Sequence, residues 1–456
     1  MNARRLRPGT ATDSLLIRQG AFCNRKDGDN GAFDTIGTKR GIKMSEQMNQ
    51  KQEDSSVREN RLNAILDKQF VMTDAGRIDQ IRDLYTTFND QVDLEALKES
   101  GYIDALDQMM EPVTMSLDDH APEVISYWAK RGMVKEFHGE DVPMSWEEYE
   151  LRTGYHWRDE GHQARQNRFK RWNSFVPVSA FDPDNTRKYP VVFVLHGGFN
   201  PISIIDGWGW VQEAAKREWI VIAPSIELDD VIEEILEEAK ALYPVDESRV
   251  YVAGFSYGGY MSNLLGNKRP DLFAAVAPCG APISDGFCEK AIGPEPQLPF
   301  DGKPRAIKMG TCMPVINIYG NLDGNRFPYY DYKGFFTGES DAKTLIDGIN
   351  SWARVNHAGE ITLSEVMALK DRADISAEEK NIGLPLAEDC RETVERDGIT
   401  SYIGSLKSGD GIARIKIMCE MNMPHWPTPE MARQAYDFFA CFSRDPETKK
   451  SIYHEG

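Results

Sequence analysis

The sequence predicts an α/β fold with a mostly parallel central sheet, helices on both faces, and an N-terminal helical segment. Three observations carry this. Short apolar runs bounded by turn residues recur through the second two-thirds of the chain. Amphipathic stretches of helical period separate several of them, and strands alternating with helices imply parallel pairing with both faces covered. Hydrophobic residues are 41% of the chain, enough for a sizeable core, yet no run approaches the ~20 apolar residues of a membrane span.

Residues 1–58 are rich in Gly, Asn, Asp, Gln, Ser and Lys without sustained periodicity, and read as a disordered tail. Leu15-Leu16-Ile17 is too short an apolar stretch for a secretory signal. Met44 opens MSEQMNQKQEDSS, which reads as a natural polar N-terminus with residues 1–43 as an upstream extension. Residues 59–145 turn helical, with Leu62, Ile65, Leu66, Ile78, Ile81, Leu84, Tyr85 and Phe88 at three- and four-residue steps. This segment carries no recognisable chemistry and is expected to pack on the main domain, with an oligomerisation element as the alternative.

Residues 146–446 form the expected catalytic domain. FKRWNSFVPV (169–178) and YPVVFVLHGG (189–198) are strands joined by the turn FDPDNTRK. Residues 210–219 read as a helix, IVIAPS (220–225) as a strand, VIEEILEEAKALY (231–243) as an amphipathic helix, and RVYVAG (249–254) as a strand. PVINIYG (314–320) and RIKIMCEM (414–421) follow as strands, and a helix spans 429–442. Insertions near 285–312 and 326–413 are expected to shape a pocket; the second contains helical pieces at 341–357 and 361–370, and 447–456 reads as a tail.

Charge and cysteine usage narrow the partners. A net charge of −19 repels nucleic acid and anionic membranes, so neither is expected as a partner. The seven cysteines are scattered with no CxxC pair, the usage of a reducing, cytoplasmic compartment. The spacing of Cys279, Cys288 and Cys312 leaves room for one disulfide, whereas paired zinc-ligand spacing is missing.

The strongest chemical signal is GFSYGG, Gly254 to Gly259, between strand RVYVAG and a helix. A nucleophilic serine must project from a tight strand-to-helix turn, and glycines at 254 and 258 admit neighbouring backbone. Ser256 is the candidate nucleophile. Upstream, LHGG ends a buried strand at Gly198. Ester hydrolysis builds an oxyanion that needs preorganised N–H donors, and Tyr257 with Gly198 or Phe199 are the candidates. Asp323 follows PVINIYG in a Gly/Asn-rich turn and is the candidate acid, with Asp331 and the more remote Asp301 as competitors. His425, between RIKIMCEM and the closing helix, is the candidate base, with His357 as its rival. The chain order serine, aspartate, histidine is that of the α/β-hydrolases. No metal or organic cofactor is implied.

YPVDESRVYVAGFSYGGYMSNLLGNKRPDLFAAVAPCGAP, KYPVVFVLHGG, AAKREWIVIAP, SWARVN and PHWPTPEMARQAYDFFACFSRD together resemble the polyhydroxybutyrate depolymerase and feruloyl esterase-like group of α/β-hydrolases. The resemblance covers roughly residues 165–445. It implies an α/β-hydrolase fold and a serine esterase with Ser256, Asp323 and His425 as triad, acting on a small-molecule or oligomeric ester. Secreted members often carry cysteines after the oxyanion His-Gly and after the Trp-to-Asn pattern; here those places hold Gly198 and His357-Ala358, which fits a form without that bridge. GFSYGGYMS also resembles the elbow of prolyl oligopeptidase-type peptidases, so a peptidase is the second expectation. A non-catalytic hydrolase-fold binding protein is the third.

Overall fold

The computed structural model describes residues 122–139, 171–197, 202–225, 229–281, 283, 306, 309–321, 323, 339–396, 399–421, 425 and 427–455. Ten strands build one sheet: β1 (Met133–His138), β2 (Trp172–Pro177), β3 (Tyr189–Leu195), β4 (Ile220–Pro224), β5 (Val245–Phe255), β6 (Ala275–Cys279), β7 (Val315–Gly320), β8 (Arg391–Arg396), β9 (Ile399–Lys407) and β10 (Ala413–Glu420). Their order is β1-β2-β4-β3-β5-β6-β7-β10-β9-β8. The six from β4 to β10 in that order run parallel, while the edge pairings β1–β2, β2–β4, β10–β9 and β9–β8 are antiparallel.

Side-chain alternation divides the core between the two faces of the sheet. Val191, Phe193, Leu195, Val250 and Val252 enter one cluster, and Val192, Val194, Tyr251, Ala253 and Phe255 enter the other. Helices α3 (Asp229–Leu242), α4 (Tyr257–Lys268) and α5 (Glu339–Val355) cover the first face. Helices α1 (Pro122–Lys130), α2 (Trp210–Arg217) and α8 (Pro429–Ala440) cover the second. Burial on both faces explains why β3, β4, β7 and the second half of β5 read as continuous apolar runs. The amphipathic reading of α3 holds from Val231 to Ala239, but Leu242 at its end is exposed.

The sheet is larger than the sequence suggested. Of the expected helical segment 59–145, only 122–139 lies among the described residues, and there a strand follows the helix. MVKEFH escaped detection because a lysine occupies an inward position of its alternating pattern. Lys135 is buried and bonds both carboxylate oxygens of Asp206, at 3.0 and 2.9 Å, while the Trp128 indole donates to the same carboxylate at 2.6 Å. The residues after 446 also differ from a tail: β11 (Phe442–Arg444) pairs with β12 (Ser451–Tyr453). Within 326–413, the expected helical pieces are α5 and α6 (Leu363–Ala368), followed by α7 (Ala377–Ile382). Strands β8 and β9 then extend the sheet, and the charge-rich RETVER of β8 suits a solvent-exposed edge.

Candidate active site

The turn after β5 is the structural centre of the site. Ser256 has φ 57° and ψ −115°, a backbone conformation that β-carbon sterics disfavour and that local structure must enforce. Its N–H donates to Cys279 O at 2.9 Å, fixing the turn to the end of β6. The flanking glycines are required by contact. A Cβ at Gly254 would lie 2.5 Å from Gly258 backbone, and one at Gly258 only 2.3 Å from Leu195 O and 2.7 Å from His196 O. The elbow is thereby pressed directly against the end of β3, where LHGG begins.

Tyr257 opens α4, so its peptide N–H belongs to the positive end of the helix, beside Ser256. His196 is buried at the end of β3, with Nδ1 2.8 Å from Gly197 O. The other two expected oxyanion donors, Gly198 and Phe199, lie outside the described residues, as do Asp301 and Asp331.

Asp323 and His425 meet although 102 residues separate them. His425 Nδ1 and Asp323 Oδ2 are 2.8 Å apart, with Asp323 buried and the imidazole about one-quarter exposed. Asp323 follows β7, where its N–H donates to Gly320 O at 3.1 Å. His425 follows β10, the neighbour of β7 in the sheet. The imidazole also packs on Phe255, the residue before Ser256, with ring centroids 4.7 Å apart. These contacts join Asp323 and His425 beyond the C-terminal ends of β7 and β10, with Ser256 at the C-terminal end of β5 next to Phe255; among the described residues, no hydrogen bond links Ser256 to His425. His357, the rival base, is exposed at the end of α5 with φ 55°, and its carbonyl accepts from Gly409 N–H.

Glu420, the last residue of β10, is a further buried carboxyl that the sequence reading passed over. The Thr428 hydroxyl donates to it, lying 2.9 and 2.8 Å from its two oxygens. Burial pushes this carboxyl up to about 8 against the lowering effect of that hydrogen bond; nearby Glu430 raises it further and Arg433 opposes. An acid closing an apolar strand, followed by the N-cap signal T-P-E, was the available clue. Cys279, behind the elbow, is fully buried and its thiol is pushed well up by desolvation, so it is an inert core residue.

Comparison with known proteins agrees with this architecture. The model of the family described as "Prolyl oligopeptidase family" matches residues 217–287, spanning β4 to β6 and the Ser256 elbow. Poly(3-hydroxyalkanoate) depolymerase C of Paucimonas lemoignei is 28% identical over 132 residues, covering 24% of this chain and 30% of that protein. Feruloyl esterase B of Piromyces equi is 34% identical over 107 residues, covering 22% of this chain and 19% of that protein. The chain has the α/β-hydrolase fold and is similar, over its central strands, to members of the esterase group. It spans 30% and 19% of the length of these two curated relatives. Among solved structures, a feruloyl esterase module from Clostridium thermocellum is 10% identical, with 71% of this chain and 91% of that one covered at a TM-score of 0.35. Among the described residues, no helix is long and apolar enough to cross a membrane.

Proposed function

We propose that this α/β-hydrolase cleaves a carboxylic ester through an acyl-enzyme, with Ser256 as nucleophile, His425 as general base and Asp323 as the orienting carboxylate. The carrying observation is the 2.8 Å contact between His425 Nδ1 and Asp323, made by an imidazole that packs on the residue adjoining Ser256. With Nδ1 engaged, Nε2 is the ring nitrogen left to take the serine proton. As Ser256 Oγ bonds the acyl carbon, its proton passes to His425, and Asp323 stabilises the imidazolium without becoming protonated. The carbonyl oxygen becomes negative and is received by the N–H of Tyr257 and of Gly198 or Phe199. Each such donor is worth about 3 kcal/mol. The C–O bond to the alcohol then breaks, and the leaving oxygen takes the proton from His425. Water repeats the sequence on the acyl-enzyme, releasing the acid and restoring Ser256.

A small-molecule or oligomeric ester is the proposed substrate, on the strength of the names carried by the relatives. A cytoplasmic setting is supported by the described cysteines: Cys279, Cys312, Cys390, Cys419 and Cys441 form no disulfide. The prolyl oligopeptidase family match favours one second reading, a serine peptidase using the same three residues. A panel of p-nitrophenyl acyl esters, feruloyl esters, hydroxybutyrate oligomers and aminoacyl amides separates the two. Turnover of esters that vanishes in Ser256→Ala is expected. Ser256-dependent cleavage confined to the amides would replace the esterase reading with the peptidase one, and a panel without Ser256-dependent turnover would reject both.

A further inference from the structure

We propose that Glu420 and Thr428 form a clasp joining the end of β10 to the start of α8, the two elements that flank His425, and that Glu420 is thereby a positioning residue for the hydrolytic reaction. This inference rests on His425 acting as the base. Glu420 ends β10, Thr428 caps the N-terminus of α8, and the seven residues between them include His425. The two elements flanking His425 are thus tied by a side-chain contact, with both partners buried. Thr428 Oγ also accepts from Met431 N–H at 3.2 Å, so the hydroxyl that holds Glu420 is itself fixed to the first turn of α8.

Backbone contacts extend the clasp to the acid. The Glu420 carbonyl accepts from Asn321 N–H at 2.9 Å, two residues before Asp323, and the adjacent Met421 N–H donates to Thr400 O at 2.8 Å. The same residue therefore holds Asn321, two residues before Asp323, through its main chain and Thr428, three residues after His425, through its side chain. A buried carboxyl is an expensive choice for a merely structural position, where an apolar residue of the same volume would serve as well. Nothing in the proton-transfer steps uses Glu420 directly.

The clasp is suited to the neutral acid. The charged and titratable groups facing the carboxyl are Glu430 and Arg433 on α8 and Cys279 on β6. None forms a hydrogen-bonded ion pair with it, and burial holds its proton to about pH 8. Ionisation above that point leaves a buried charge supported by one hydroxyl, which weakens the tie between β10 and α8.

The test compares kcat, KM and pH profiles of Glu420→Met, Glu420→Gln and Thr428→Ser with wild type, using the best ester of the panel and His425→Ala as control. Glu420→Met keeps side-chain volume and removes the clasp. Its kcat is expected to fall about 10- to 100-fold at unchanged KM, because displacing a catalytic group by about 1 Å costs on that order. Glu420→Gln and Thr428→Ser retain a neutral partner and a hydroxyl, so kcat should return to within about threefold of wild type. Wild type should lose kcat above about pH 8, and Glu420→Gln should not show that loss. A folded Glu420→Met with wild-type kcat and pH profile would overturn the clasp while leaving the triad standing. Full activity in His425→Ala would instead remove the triad, and the clasp with it.

Discussion

Glu420 makes a second, thermodynamic prediction, independent of turnover. Its carboxyl titrates near 4.5 when solvated and at about 8 in the native protein, with desolvation as the main cause. Below pH 4.5 both native and unfolded chains hold the proton, so the group adds no pH dependence. Between that value and about 8 the unfolded chain releases the proton while the native one keeps it, so stability falls as pH rises. Above about 8 both forms are ionised and the loss is complete. At RT ln 10 for each pH unit between the two values, the upper limit is roughly 5 kcal/mol. Glu420→Gln stays neutral throughout and lacks this contribution. Urea unfolding followed by tryptophan fluorescence at pH 5, 7 and 9 should show wild type losing stability relative to Glu420→Gln by a few kcal/mol across the range. Stability curves that stay parallel from pH 5 to 9 would refute the reasoning, because they would mean that Glu420 is ionised in the native protein at the same pH as in water.

Two substitutions test the packing behind the site. Gly258→Ala would place a methyl 2.3 Å from Leu195 O, a backbone atom that cannot swing aside. We expect at least about 3 kcal/mol of destabilisation together with loss of activity, since overpacking commonly costs about 1–3 kcal/mol even where side chains can yield; an unchanged melting temperature would contradict the elbow geometry. Lys135→Met removes the cation bonded to buried Asp206 and should destabilise by about 3–5 kcal/mol. Double substitution Lys135→Met/Asp206→Asn should recover part of that loss in thermal unfolding, and no recovery would argue against the pairing.

The sequence made the central part of the sheet and the three candidate residues legible for a physical reason. Strands β3, β4 and β7 and the second half of β5 are buried on both faces, so they appear as unbroken apolar runs; Ser256 and Asp323 sit just beyond two of them, and His425 follows β10. Gly254 and Gly258 marked the elbow because backbone of a neighbouring element occupies the space of their missing Cβ atoms. The edges were harder to read. In β1 a buried lysine interrupts the alternation and is explained by its contact with Asp206, 71 residues away. In β8 alternating charges look like a loop until pairing with β9 is known. The Glu420–Thr428 contact was hidden because a carboxyl after an apolar strand reads as the start of solvent. Only the placement of α8 against β10 makes it a buried acid.

Catalysis by Ser256 through His425 is tested most directly by covalent trapping. Intact-mass and peptide mass spectrometry after exposure to a fluorophosphonate should locate one adduct on Ser256, formed rapidly in the wild-type protein and at least about 100-fold more slowly in His425→Ala, the scale of general-base assistance. An adduct on another residue, or equal labelling rates in the two proteins, would contradict the account.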